Sequence, residues 1–434
     1  MGFSYDIKTS KKDKLSSNCL MACHKISAVI DLFLSTFLVA YIYSLSSDIH
    51  KYVYNVALYL IVTYASLCIV YYFLGYLLEK TNRAVIYRCG IIARAGLVVF
   101  AIFFGKDLAQ LIPLAGLLNG VSQAIYYSAY DTMKHEMVSR NSMGTFVLLD
   151  QALGKAMDIF VPIVLGALIE VSTYAQVSIY IFVVCVIQIG LSFCVRSKRP
   201  ENSKFTMREY ISALNNKPEA KSKIKSIYIL GFIYGLTTIV PTLVNVCIMI
   251  EMGSSFKLGM IISICAVISI LGLVAFRKFT QMGKREIILC IIAFVPLLST
   301  ILFVFFPSVT TIYVYNLGVV ATKVIYQYLY ESQRFSILKE EGLYEYIVEH
   351  HAICNMTLGI SRVFTFILMF LFNLDQSLVG FKVFLCIMSS MFTLIILALM
   401  LYERRFFSDK KEKIEEEKTF KIIRKCLKEP IWVF

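Results

Sequence analysis

A chain of 434 residues that is 58% hydrophobic and only 17% charged is too apolar for a soluble globular protein. Its net charge of +14 needs no nucleic-acid partner, because Lys and Arg collect in turns between long apolar runs, as in loops that stay in the cytoplasm. These features describe an all-α, multi-pass membrane protein.

Residues 1–24 are polar and basic (Lys8, Lys11, Lys12, Lys14) and do not resemble a cleaved leader; the first apolar run is long enough to span and to serve as the insertion signal. Runs of about 20 apolar residues predict twelve transmembrane helices, near 25–46, 54–78, 86–104, 108–130, 143–169, 174–195, 224–249, 257–276, 286–306, 309–331, 349–372 and 379–402. Basic residues alternate with this count: Lys80, Arg83 and Arg88, then Lys134 and Arg140, then the run from Arg196 to Lys225, then Arg277, Lys278, Lys284 and Arg285 fall on one side. The other side holds few, such as Lys51, Lys106 and Lys257, so both termini are expected in the cytoplasm.

The stretch 196–223 is the longest polar linker inside the membrane region and divides the chain into six-helix bundles at 25–195 and 224–402. Within it, Phe205 to Leu214 reads as a short amphipathic surface helix or as plain linker. The tail 403–434 alternates charge and then places Phe420, Ile422, Ile423, Leu427 and Trp432 among lysines, which suits a solvated segment or attachment to anionic lipid. The twelve cysteines have no CxxC spacing, and Cys68, Cys185, Cys247, Cys265 and Cys386 lie in apolar segments as small packing residues.

One helix is written twice. At a lag of 200 residues, Ile125, Tyr126, Tyr130 and Asp131 fall on Ile325, Tyr326, Tyr330 and Glu331, while Gln123 falls on Lys323. Two related halves around a shared cavity follow, with Gln123 and Lys323 expected to face each other across it. Asn119, Gln123 and Tyr126 on one side and Asn316, Lys323, Gln327 and Arg362 on the other are the candidate cavity residues. Among Tyr126, Tyr127, Tyr130, Tyr326, Tyr328 and Tyr330 some suit the interfacial belt, whereas those on the polar face, Tyr126, Tyr130 and Tyr330, suit an inner gate.

A charge inside the bilayer costs about 2.5–3.5 kcal/mol on insertion scales, so each needs a partner or a water-filled cavity. The N-terminal half contains Asp31, Arg94, Asp150, Lys155 and Asp158, of which the first three have similar depth. Gln151, Lys155, Asp158 and Pro162 share one helical face, and Lys155 and Asp158 at i, i+3 can neutralise each other. The C-terminal half is basic at its centre, and a zwitterion, an anion or interface salt bridges would each suit that asymmetry.

Between the second and third spans the sequence runs Gly75-Tyr-Leu-Leu-Glu79-Lys80-Thr-Asn82-Arg83, which resembles the G-x-L-x-D-R-x-G-R loop of the major facilitator superfamily. Gly75, Leu77 and Arg83 match, Glu79 and Lys80 are conservative replacements, and Asn82 stands where a glycine is usual, tolerating a left-handed turn. Gly283, Lys284 and Arg285 occupy the equivalent place in the second half without an acid. The resemblance implies two bundles rocking about a central site. It also implies an inner-gate loop in which Glu79 faces the start of span eleven and Arg83 pairs with Asp131 or Glu136. Span one lines the cavity in that family, which makes Asp31 a proton or cation binder; span three is peripheral, which makes Arg94 part of a structural ion network. Span five resembles only weakly the antiporter motif, with Val161 where a glycine normally precedes Pro162, so direction stays open.

The expected function is a monomeric secondary transporter of the cell membrane, moving a small organic solute by alternating access with proton coupling. No cofactor, metal site or GxxxxGK[ST] pump motif is expected. Two alternatives stand beside it: a transporter-like sensor with the tail as output, and a membrane enzyme using His350 or His351 as a base. Both histidines otherwise suit a helix start or proton coupling.

Overall fold

The computed structural model describes residues 11–38, 41, 49–137, 143–197, 205–238, 254–281, 285–372 and 378–428. These form thirteen α-helices and no strand. They are α1 (Lys11–Leu32), α2 (Ile49–Lys80), α3 (Arg83–Phe104), α4 (Ile112–Met137), α5 (Met143–Val171) and α6 (Tyr174–Ser192) in the first half. The short α7 (Met207–Asn215) lies in the linker, followed by α8 (Pro218–Thr237), α9 (Ser255–Gln281), α10 (Arg285–Phe305), α11 (Val309–Glu340), α12 (Ile347–Leu371) and α13 (Leu378–Lys428).

Several boundaries differ from those expected, and three local features show why. Helix α1 starts at Lys11 rather than near residue 25, because helical periodicity turns Leu20, Met21 and Cys23 inward even though the segment is polar on average. Ser16 Oγ also takes the Arg196 amide at 2.8 Å, tying the helix start to the end of the sixth helix. The last helix continues to Lys428, so the charged tail prolongs α13. Asn82 is extended (φ −62°, ψ 118°) rather than left-handed; its side chain accepts from the Ala84 amide at 3.0 Å, so it caps α3.

Among the described residues, eight helices are long and apolar enough to cross a membrane. The long helices outside that set are α4, α5, α8 and α11. Among these, α4 and α11 carry the repeated polar face, and α5 carries Asp150, Lys155 and Asp158. Polar residues lower their apolar content because such helices turn one face to the protein interior and not to lipid.

The halves meet along α5 against α9 and α2 against α12. Along the first pair a Cβ at Gly259 would overlap the Pro162 carbonyl, and one at Gly166 would come within 2.5 Å of the Ser255 carbonyl, so both glycines permit backbone-to-backbone approach. Ser263 Oγ adds a 2.5 Å hydrogen bond to the Ile159 carbonyl across the same seam. Along the second pair Cys68 Sγ packs on Gly359, and Tyr64 stacks on Phe366 at 6.0 Å. We call the end of the bundle bearing α7 the linker end and the opposite one the far end. One apolar cluster joins both halves toward the far end, from Phe33, Phe37 and Tyr59 to Tyr315, Phe366 and Phe384.

Candidate functional site

The repeated helix is repeated in space. In α4, Tyr126 and Tyr130 stack at 6.1 Å; in α11, Tyr326 and Tyr330 stack at 5.9 Å. Each pair packs on a ring from the first helix of its half: His24 of α1 stacks on Tyr130 at 4.0 Å, and Tyr234 of α8 meets Tyr326 and Tyr330 at 5.0 and 5.8 Å. Position i and i+4 spacing puts both tyrosines on one helix face, which explains why the same sequence builds the same stack twice.

Around the first stack lies a buried ionic network. Arg94 on α3 is fully buried, and its Nη2 lies 2.9 Å from Asp31 Oδ1 on α1, whose side chain is 22% exposed. Arg94 Nη1 also bonds Ser27 Oγ, and its guanidinium lies 4.2 Å from the centre of the Tyr126 ring. Tyr127 donates to Asp31 Oδ2 at 2.7 Å. Asp31 and Arg94 are thus brought together. The Asp150, Gln151 and Lys155 side chains lie outside the described residues, and Asp158 is exposed on α5. Beyond Asp31, α1 continues as a π-helical turn over Phe33–Phe37.

The expected cavity residues fall into two groups. Gln123 Nε2 donates to Asn119 Oδ1 at 3.0 Å, and Asn119 Nδ2 donates to Tyr59 Oη at 2.8 Å, a chain leading from α4 to α2. On α11 Asn316 is buried, Lys323 half-buried and Gln327 exposed. Arg362 on α12 reaches both halves: its Nε donates to Thr238 Oγ1 at 3.2 Å just after α8, and its guanidinium lies 4.8 Å from the Tyr64 ring centre on α2.

At the linker end the expected Arg83–Asp131 partnership gives way to another arrangement. Arg83, buried at the first position of α3, donates to the Leu78 carbonyl at 3.3 Å and lies beside Glu79 and Tyr344. Asp131 lies in the fields of Arg334, Glu331 and Lys134 and close to the Asn355 amide. The reason is height: α4 continues to Met137, so Asp131 sits about 9 Å inside the helix end, facing α11 and α12. The Glu136 side chain and residues Gly283 and Lys284 lie outside the described residues, while Arg285 begins α10.

Arg334 organises this cross-half cluster. Its Nη2 donates to His351 Nδ1 at 3.1 Å and to Asn355 Oδ1 at 3.0 Å, and its Nη1 lies 3.6 Å from Glu331. Accepting from an always-charged guanidinium leaves the His351 proton on Nε2. Arg334 was legible only through the repeat, as the counterpart of Lys134 at the same lag of 200. His24, one residue before the expected first span, had no such signal.

Glu79 lies near Glu349 in the first turn of α12, so the acid of the α2–α3 loop does sit at the start of that helix. The linker spans the same place. The Phe205 ring covers Gly75, where a Cβ would overlap it, and meets Tyr76 at 4.8 Å on the first half. The Thr206 amide donates to Glu349 at 3.0 Å, and Tyr210 Oη lies 2.7 Å from Tyr228 Oη and 3.2 Å from His350 Nδ1 in the second. His350 is therefore held in a tyrosine cluster. Lys223, ahead of the span at 224–249, lies 2.9 Å from both Glu219 and Glu341; burial works against its charge, but these carboxylates outweigh it and raise its pKa.

At the far end Glu170 of α5 accepts from Ser254 Oγ at 3.0 Å and from the Phe256 amide at 3.2 Å, capping α9 from the other half.

Two repeated helical halves, joined by cross-half contacts at both ends and carrying buried charge between them, define a polytopic membrane protein of transporter type. The profile of the Major Facilitator Superfamily matches residues 26–332, and the chain belongs to that family. Solved structures share the fold. A bacterial homologue of the iron transporter ferroportin in its inward-facing state aligns at TM-score 0.63 and 12% identity over 90% of this chain and 98% of the other. A bacterial homologue of the iron transporter ferroportin in an outward-facing state gives 0.62 and 14%, over 91% and 100%. The nucleoside transporter NupG gives 0.61 and 14%, over 91% and 99%. No curated protein matches the chain by sequence. The family and these neighbours are transporters, not enzymes.

Proposed function

We propose that the chain is a secondary active transporter that moves a small organic solute across the cell membrane by alternating access, coupled to protons, with twelve spans and both termini in the cytoplasm. The observation that carries this reading is the pairing of cross-half latches at opposite ends. Glu170 with α9 closes the far end, and Arg334, Asn355 and Asp131 close the linker end. A protein that opened at one end only would need one of them. The basic turns support a cytoplasmic linker end.

Asp31 is the coupling carboxylate in this account, because its side chain is partly exposed while its partner Arg94 is not. The solute binds between Asn119, Gln123 and Tyr126 of the first half and Asn316, Lys323, Gln327 and Arg362 of the second. Glu79 and Arg83 brace the cytoplasmic end, with Gly75 seating the linker. The protein acts as a monomer and needs no cofactor.

A thermal-shift screen of the purified chain against sugars, amino acids, nucleosides, organic acids and cationic drugs identifies a ligand by mass action. Flux of that ligand in proteoliposomes then tests the site: Lys323→Ala is expected to lower it at least tenfold. Unchanged flux would remove Lys323 from the site.

A further inference from the structure

Buried charge is balanced differently in the two halves. In the first, the Asp31 carboxylate answers the Arg94 guanidinium within the half itself. In the second, Arg362 lies about fifteen residues into α12, deep in the span, and its contacts are Thr238 Oγ1 and the face of Tyr64. Among the described residues no carboxylate pairs with it, and its two Nη groups donate to no acceptor. Arg362 is half-buried where α2, α8 and α12 meet, so the residue is not sealed off from accessible space.

The surroundings hold that fork in place. Gly235 brings α8 against Ser361, and Thr365 Oγ1 donates to the Leu236 carbonyl at 3.1 Å, so the end of α8 and its Thr238 stay fixed to α12. Tyr64 covers one face of the guanidinium and is itself stacked on Phe366. A planar guanidinium held by Nε and by one face presents its Nη edge in fixed geometry, the form that accepts a carboxylate or phosphate bidentately. Lys323 adds a second cation on α11. Its helix packs on α8 through Tyr326 and Tyr234, one turn before Thr238. On the same face, the buried Asn316 Oδ1 has no hydrogen-bond partner among the described residues and suits a hydroxyl or amide donor.

We propose that Arg362 is the anion-binding residue of the central site and that the solute is a small organic anion presenting a carboxylate or phosphate to its guanidinium. This deepens the transporter reading and rests on it. Because Arg362 touches Tyr64 of one half and Thr238 of the other, an anion seated on it is shared by both halves, and its charge replaces the missing protein carboxylate.

The test uses the full-length purified protein with three matched probe pairs: benzoate and benzamide, succinate and succinamide, glycerol 3-phosphate and glycerol. Thermal unfolding is measured against probe concentration for the unmodified protein, Arg362→Gln and Arg362→Lys. Unfolding without probe shows whether each variant is folded, and if the glutamine variant is not, the lysine variant carries the comparison.

At least one anion is expected to raise the unfolding temperature while its neutral partner does not. Arg362→Gln should raise the apparent Kd for that anion tenfold or more, equivalent to about 1.4 kcal/mol. Arg362→Lys should fall between, since an ammonium keeps the charge but loses the fork. Stabilisation by a neutral partner equal to its anion, an affinity unchanged in Arg362→Gln, or no shift with any anion overturns the assignment. Exchange of the labelled anions and of labelled uridine in proteoliposomes separates the two levels. Uridine exchange indifferent to Arg362→Gln overturns the anion site and leaves the transporter standing. Anion binding without any exchange overturns the transporter and leaves the site.

Discussion

Arg94→Leu is expected to lower the stability of the protein by about 2–3 kcal/mol, because it leaves the half-buried Asp31 carboxylate without its counter-charge and removes the fully buried guanidinium that three helices share. The loss does not stop at one pair. Arg94 also bonds Ser27 and lies against Tyr126 and Tyr127, so α1, α3 and α4 all lose a shared anchor. The measurement is the unfolding temperature of the purified variant beside that of Asp31→Leu and of the double variant. If the pair is what matters, the double variant recovers most of the loss, since two apolar side chains of similar volume leave no stranded charge. A double variant as unstable as the sum of the singles would show that Arg94 acts through packing instead.

Asp31→Asn is expected to abolish accumulation of solute against its gradient while sparing exchange of solute for solute. Asparagine keeps the shape at Asp31 and can still engage Tyr127 Oη, but it cannot take up and release a proton. Net movement driven by a proton gradient requires that step, whereas exchange requires only that the loaded carrier reorient. The two assays in one proteoliposome preparation check it, and gradient-driven accumulation at the unmodified rate would remove Asp31 from the coupling.

Much of this architecture was legible in the sequence because a bilayer punishes error. Apolar runs of spanning length and the repeat from Tyr126 to Asp131 mark elements whose alternatives are expensive, and the stacked tyrosine pairs lie where that repeat puts them. Depth along a helix was harder to read. Asp131 looked like the end of a span, yet α4 runs six residues further, which turns the carboxylate toward Arg334 rather than Arg83. Polar average also hid structure: residues 11–24 read as a cytoplasmic lead and are helical from Lys11, since three inward apolar side chains suffice to seat them.

Partners contributed by one half to the other had no local signature. Glu170 reads as an ordinary loop-proximal acid until α9 places the Phe256 amide before it. Phe205 was one apolar residue in a polar linker, and only its position over Gly75 near the end of α2 shows that a side chain there would strike its ring. Arg362, read first as one of several central cations, is distinguished by touching Tyr64 and Thr238 together.

The central claim is that the two halves open alternately at the far end and at the linker end, with protons biasing the exchange. Distances between spin labels measure this directly, after the twelve native cysteines are replaced by serine. One pair, Glu170→Cys with Ser254→Cys, reports the far end; a second, Lys134→Cys with Tyr346→Cys, reports the linker end. In lipid, a change from neutral to mildly acidic pH is expected to shift population so that one distance lengthens as the other shortens. Two distances that lengthen together, or that stay unchanged, would contradict the account.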